Sequence, residues 1–177
     1  FCYMMGDFVK LYRPQSKLRF LYGGDKLKDY IFGFEQLPSK GDVLFITGGE
    51  KDVLSLSSHH FNAICFNSET ASIPEPIIES LQLRFRHIVL LYDTDETGLR
   101  EAERQAKLLE PYHVFYLRLS LQGTKAEKDI SDFFALGKTE KDLTSLLTDK
   151  LSSIYTHTIM MLQSCEIDYD NPPDASK

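Results

Sequence analysis

The sequence predicts an α/β fold, a mostly parallel four-stranded sheet flanked by helices with a small β-rich subdomain in front of it. Three observations predict it. Four short apolar runs, at 43–46 (VLFI), 63–66 (AICF), 87–92 (HIVLLY) and 114–119 (VFYLRL), have strand length, and most are too continuous to have one wet face. Segments with helical character separate them, so strand and helix alternate along the chain. Ahead of them, the first forty residues carry β-prone runs divided by turn residues.

Taken in order, 8–12 and 18–22 read as strands joined through the turn Arg13-Pro14-Gln15-Ser16, and Gly23-Gly24-Asp25 closes the second. Residues 37–42 (LPSKGD) form a boundary loop, so 1–40 is one subdomain and 41–137 the core. Within the core, 52–58 follows the first buried strand as a short helix. The next helix is 74–83, with Pro74 at its start, where a missing N–H costs little. Residues 96–109 form a third helix, with Leu99, Ala102, Ala106 and Leu109 on one face and Pro111 stopping it. Leu143, Leu147, Leu151, Ile154, Thr158 and Met161 recur at three- and four-residue spacing, which predicts one amphipathic helix within 138–164. Residues 165–177 are acidic and poor in apolar groups, as expected of a linker or tail.

Composition narrows the function classes. No apolar run approaches the ~18 residues that span a membrane, and no basic leader precedes an apolar stretch. Cys2, Cys65 and Cys165 are isolated, which argues against a zinc site or a disulfide framework and for a reducing, cytoplasmic setting. The chain starts at Phe1 rather than Met, as an excised fragment does. Net charge is -6, unlike a generic nucleic-acid coat. Residues 1–40 nevertheless hold seven Lys/Arg against four acids, so a front piece of +3 precedes a body of -9. Such a division suits phosphate contact at one end and cation binding at the other, and it also fits a solvated surface with scattered charge.

Three acidic clusters follow predicted strands: Gly48-Gly49-Glu50-Lys51-Asp52, Asp93-Thr94-Asp95-Glu96-Thr97-Gly98, and Lys128-Asp129-Ile130-Ser131-Asp132. In a parallel sheet all three lie at the carboxyl edge, where ligands bind. Carboxylates gathered there repel one another, and a divalent cation with oxygen ligands offsets the repulsion. Asp93 and Asp95, alternate residues at a strand end, suit such an ion. The same pair also suits a helix N-cap, and the two roles are compatible. Gly98 lets the chain turn tightly into the next helix. Lys128, beside Asp129, is a candidate phosphate contact or a surface charge. Lys10, Arg13, Lys17 and Arg19 lie among Tyr12 and Phe20, a mixture that suits single-stranded nucleic acid and equally an ordinary sheet with one wet face. His59 and His60, adjacent at a helix end, point in different directions and make a poor chelating pair. Ser57, Ser58 and Cys65 have no base nearby in sequence to activate them, and Cys65 reads as core.

Taken together and in order, FITGGEKDVLSL, HIVLLYDTDETGLREAERQAKLL and KDISDFF resemble the Toprim domain, in the form found in phage-type and Twinkle-like primases and primase–helicases. The resemblance covers roughly residues 8 to 136. It implies that Asp93 and Asp95 coordinate Mg²⁺ or Mn²⁺ at one or two sites, and that Asp129 is a further metal or triphosphate-handling position. It gives Glu50 and Asp52 catalytic roles, and it assigns template and nucleotide contact to the basic front strands. It further implies nucleoside triphosphates and single-stranded DNA as partners, a RecA-like helicase domain in the parent chain, and RNA primer synthesis by nucleotidyl transfer. One position departs from the family pattern: Gly48 stands where the first Glu of E-G-E-x-D is usual. The alternative is therefore a weak or inactive module that grips single-stranded DNA for an attached helicase. A Toprim nuclease is a third reading, and a topoisomerase would need a nucleophilic tyrosine from another domain.

Overall fold

The structure is a computed structural model that describes residues 1–25 and 30–164. Lys26, Lys28 and the expected tail at 165–177, with Cys165, lie outside the described residues. The chain divides into two compact units, one from Phe1 to Lys138 and one beginning at Thr139.

The first unit opens with strands β1 (Cys2–Met5), β2 (Phe8–Tyr12) and β3 (Phe20–Gly23), an antiparallel sheet in that order. β2 and β3 are the pair expected from sequence. β1 is an addition, because CYMM has no alternation of apolar and polar residues and gains its strand only by pairing with β2.

The second sheet contains β4 (Ile31–Phe32), β5 (Gly41–Thr47), β6 (Asn62–Phe66), β7 (Phe85–Leu91) and β8 (Phe115–Tyr116), in the order β4-β6-β5-β7-β8. β6, β5, β7 and β8 run parallel, as the sequence predicts. Leu44, Phe45 and Ile46 are successive and fully buried, so both faces of β5 are covered. The fifth strand, β4, is antiparallel to β6 through Ile31–Phe66 and Phe32–Cys65. Two residues carry no readable period, and β4 exists because Ile31 is buried on that edge. β8 is shorter than the apolar run suggests, although Leu117 N–H still donates to Leu90 O at 2.9 Å.

Between the strands lie α1 (Glu50–Ser58), α2 (Glu75–Gln82) and α3 (Glu96–Leu108). After β8 comes α4 (Ile130–Ala135), in a stretch that reads as loop. It is nucleated by a reciprocal cap, since Asp129 accepts from the Asp132 N–H at 2.9 Å and Asp132 accepts from the Asp129 N–H at 3.4 Å. Cys65 is buried in the core, and the His59 ring stacks on Phe134 with centroids 3.7 Å apart.

The second unit contains the long helix α5 (Glu140–Ser164). Thr139 caps it, with its Oγ1 accepting from the Asp142 N–H at 3.4 Å. Leu143 and Leu147 are buried, whereas Tyr155, Ile159, Met160 and Met161 are exposed.

Candidate metal centre

In the second sheet β5 is followed by β6 on one side, and β7 by β8 on the other. The chain therefore leaves the carboxyl ends of β5 and β7 in opposite directions. The crevice so opened is the usual ligand site of a parallel sheet. Asp52 enters it from the first turn of α1, Asp93 from just beyond β7, and Asp129 from the N-cap of α4.

One carboxylate oxygen from each of Asp52, Asp93 and Asp129 lies within 4.8 Å of the others. Among the described residues this is the one group of three such side chains able to hold a metal ion. Burial, reinforced by the charge of Asp129, pushes Asp52 up to about 7. Burial also raises Asp93, although Lys128 opposes it. Removing water from like-charged carboxylates costs free energy unless a proton or a cation neutralises them. All-oxygen donors of this kind suit hard divalent ions such as Mg²⁺ or Mn²⁺.

Neighbouring groups orient the three. Ser131 Oγ donates to Asp52 at 3.0 Å, and Lys51 Nζ donates to Asp129 at 2.7 Å. Lys128 Nζ donates to Asp93 and, at 3.3 Å, to Asp95. The loop bearing Lys128 is tied to the Asp93 turn, because the Thr94 N–H and Oγ1 donate to Lys128 O at 2.7 and 3.0 Å. Gly98 makes the turn possible, since a Cβ there would stand 2.2 Å from the Asp93 carbonyl oxygen.

The remaining sequence candidates are distributed unevenly. Asp95 lies outside the triad and caps α3, accepting from the Gly98 N–H at 2.9 Å, a bond that holds its carboxyl below the ordinary range. Glu50 is turned toward the front sheet, where it accepts from Lys10 Nζ at 2.6 Å and Tyr30 OH at 2.6 Å. Lys10 is itself buried and within 5.1 Å of the Phe20 ring centroid. Lys10 and Lys128 line the cleft above the triad, of about 660 Å³, together with the exposed aromatics Phe20 and Tyr22. Arg13, Lys17 and Arg19 are exposed and do not line it. Arg13 Nη2 donates to Leu18 O at 2.9 Å, within its own hairpin.

Sequence reasoning missed Glu69, in the loop after β6. Burial together with the charges of Asp93 and Asp95 pushes its carboxyl up to about 8. The signal available was its position, another acid following a parallel strand at the same edge. It is a lone Glu amid Ser and Thr, and the clusters drew attention elsewhere.

Comparison with known proteins agrees with this architecture. The family described as Toprim-like matches residues 45–134. No significant match was found among curated proteins. The primase fragment of the bacteriophage T7 primase-helicase protein superposes with a TM-score of 0.62 at 21% identity, covering 79% of this chain and 56% of that one. The DnaG primase catalytic domain bound to ssDNA gives 0.62 at 14% identity, covering 80% and 48%. A DNA primase domain from Pseudomonas aeruginosa gives 0.60 at 16% identity, covering 88% and 56%. These identities establish a shared fold, and the chain spans about half the length of these structures.

Proposed function

Since the chain belongs to the Toprim-like family, we propose that it is the metal-binding half of a primase-type nucleotidyltransferase acting on single-stranded DNA. The observation that carries this reading is the convergence of Asp52, Asp93 and Asp129 within 4.8 Å at the sheet's switch point. These three would hold Mg²⁺ or Mn²⁺. Such an ion, when bound, supplies charge stabilisation for a transferring phosphoryl group.

The chain's own residues then have separable tasks. Asp52, Asp93 and Asp129 bind and fix the cation position, while Ser131 and Lys51 orient two of them. Lys128, which pairs with Asp93 and Asp95 and lines the cleft, would offer its charge to an incoming triphosphate. Phe20 and Tyr22 offer exposed rings on the cleft wall against which bases can stack. Glu50 joins the front sheet to α1 through Lys10, so it acts on the geometry of the cleft.

The partners in this reading are nucleoside triphosphates and a single-stranded template, with a RecA-like helicase domain in the parent protein and a cytoplasmic setting. The T7 relative is the primase fragment of a primase-helicase, which supports the helicase partner by analogy of fold. Among the described residues no helix is long and apolar enough to cross a membrane. The test is primer synthesis from labelled nucleotides on single-stranded template, with wild type beside Asp93→Asn. Template-dependent product lost in the variant supports the enzyme. Template binding without product, in the parent protein as well, identifies a DNA-gripping module, a reading that the missing acid at Gly48 favours.

A further inference from the structure

Gly48 stands where the resemblance to Toprim domains implies a first glutamate, and a side chain from another loop fills the space above it. An ideal Cβ on Gly48 would stand 2.3 Å from Glu69 Oε1, 2.5 Å from its Cγ and 2.8 Å from its Cδ. The carboxyl end of Glu69 therefore lies where a side chain at position 48 would begin.

Sheet topology explains the reach. β5 and β6 are neighbours, and Thr47 is in register with Cys65, so the loop leaving β6 passes beside Gly48. That loop is held at two points. Thr70 and Ala71 N–H donate to Ser68 Oγ and Ser68 O at 3.3 and 3.0 Å. Gln105 Nε2, from the buried face of α3, donates to Ala71 O at 2.8 Å. A solvating glutamate in such a loop would point to water. Glu69 is instead half-buried and lines the same cleft as Asp52, Asp93 and Asp129.

We propose that Glu69 supplies, from the loop after β6, the carboxylate that residue 48 lacks, so that glycine at 48 and glutamate at 69 are two halves of one arrangement of the cation centre. This rests on the cation reading above. The group toward which Glu69 acts is a divalent ion at Asp93, either as a ligand or by orienting Asp93. The arrangement also makes the departure at Gly48 a relocation of the acid rather than its loss, and any larger residue at 48 would displace Glu69.

The experiment is calorimetric titration of Mn²⁺ into wild type, Glu69→Gln, Asp93→Asn and the exchange variant Gly48→Glu/Glu69→Ala, with thermal melting of each in chelator. Glutamine preserves the shape and the hydrogen-bonding capacity of the side chain, so a merely structural Glu69 leaves Mn²⁺ affinity unchanged in Glu69→Gln. The expected result is a fall of roughly tenfold or more in Glu69→Gln with a native melting curve, and recovery of most of that loss in the exchange variant. Unchanged affinity in Glu69→Gln, with binding abolished in Asp93→Asn, overturns the proposal and leaves the cation centre standing. A loss in Glu69→Gln that the folded exchange variant does not recover overturns the equivalence of the two positions. Wild type without saturable Mn²⁺ binding overturns both the cation centre and the role of Glu69.

Discussion

Lys10 and Glu50 form a 2.6 Å ion pair buried on both sides, and through it the three-stranded front sheet is fastened to the first turn of α1. Tyr30 OH and the Asn67 carbonyl complete the shell, accounting for the polar atoms that the pair brings inside. Removing one partner of a buried pair strands the other charge, at a cost of about 3–5 kcal/mol. Lys10→Met is therefore expected to destabilise the protein by about 3 kcal/mol in urea unfolding. The double variant Lys10→Met/Glu50→Gln should cost less than the single one, because no uncompensated charge remains. Equal losses in both would show that the packing of Lys10, not its charge, matters.

The triad makes a direct prediction for cation binding. Asp52→Asn, Asp93→Asn and Asp129→Asn should each weaken Mn²⁺ binding by at least about tenfold by calorimetry, while Asp95→Ala, which removes the cap of α3, should act mainly by lowering stability.

Lys128 makes the opposite prediction. Its ammonium group neutralises Asp93 and Asp95 and so competes with an incoming cation for the same charge. Lys128→Met should tighten Mn²⁺ binding while lowering the melting temperature in chelator. Weaker Mn²⁺ binding in a folded variant would mean that Lys128 positions the loop rather than balancing its charge.

Stability should depend on pH with a sign set by the buried acids. Asp52 and Glu69 are pushed up to about 7 and about 8 from ordinary values of 3.8 and 4.5. The folded protein therefore retains protons that the unfolded chain releases, and this contribution is lost as pH rises through 7 and 8. In chelator the urea midpoint is expected to be higher near about pH 5.5 than near about pH 8.5. Mn²⁺ at the higher pH should restore it, since a cation replaces the protons. A midpoint independent of pH in chelator would contradict the buried-acid electrostatics.

Gly98 is a test of close approach. A Cβ 2.2 Å from the Asp93 carbonyl oxygen must push α3 away from the turn, and overpacking of this kind costs about 1–3 kcal/mol. Gly98→Ala should lower both the unfolding midpoint and the Mn²⁺ affinity, the second because Asp93 moves with its backbone.

Much of this chain is legible in its sequence. The four parallel strands could be read from apolar runs of strand length, because burial on both faces demands continuous hydrophobicity. α3 could be read from the spacing of Leu99, Ala102 and Ala106, although of these only Ala102 is buried and Gly98, Glu101 and Gln105 share its buried face. Asp52, Asp93 and Asp129 could be named as edge acids because a parallel sheet gathers the loops leaving its strands at one end.

The α/β layering and the acids that can meet, Glu69 excepted, were determined by the sequence alone, since both derive from periodicity and chain order. Only the tertiary structure decided which of those acids do meet. Asp95 turned to the nearest free N–H of α3, Glu50 to a lysine forty residues earlier, and Glu69 crossed from a neighbouring strand into the space above Gly48. Asp95's partner is local and was open to a cap reading, whereas the choices of Glu50 and Glu69 depend on partners distant in sequence competing for one carboxylate. That competition is settled by distance and burial, which local pattern does not encode.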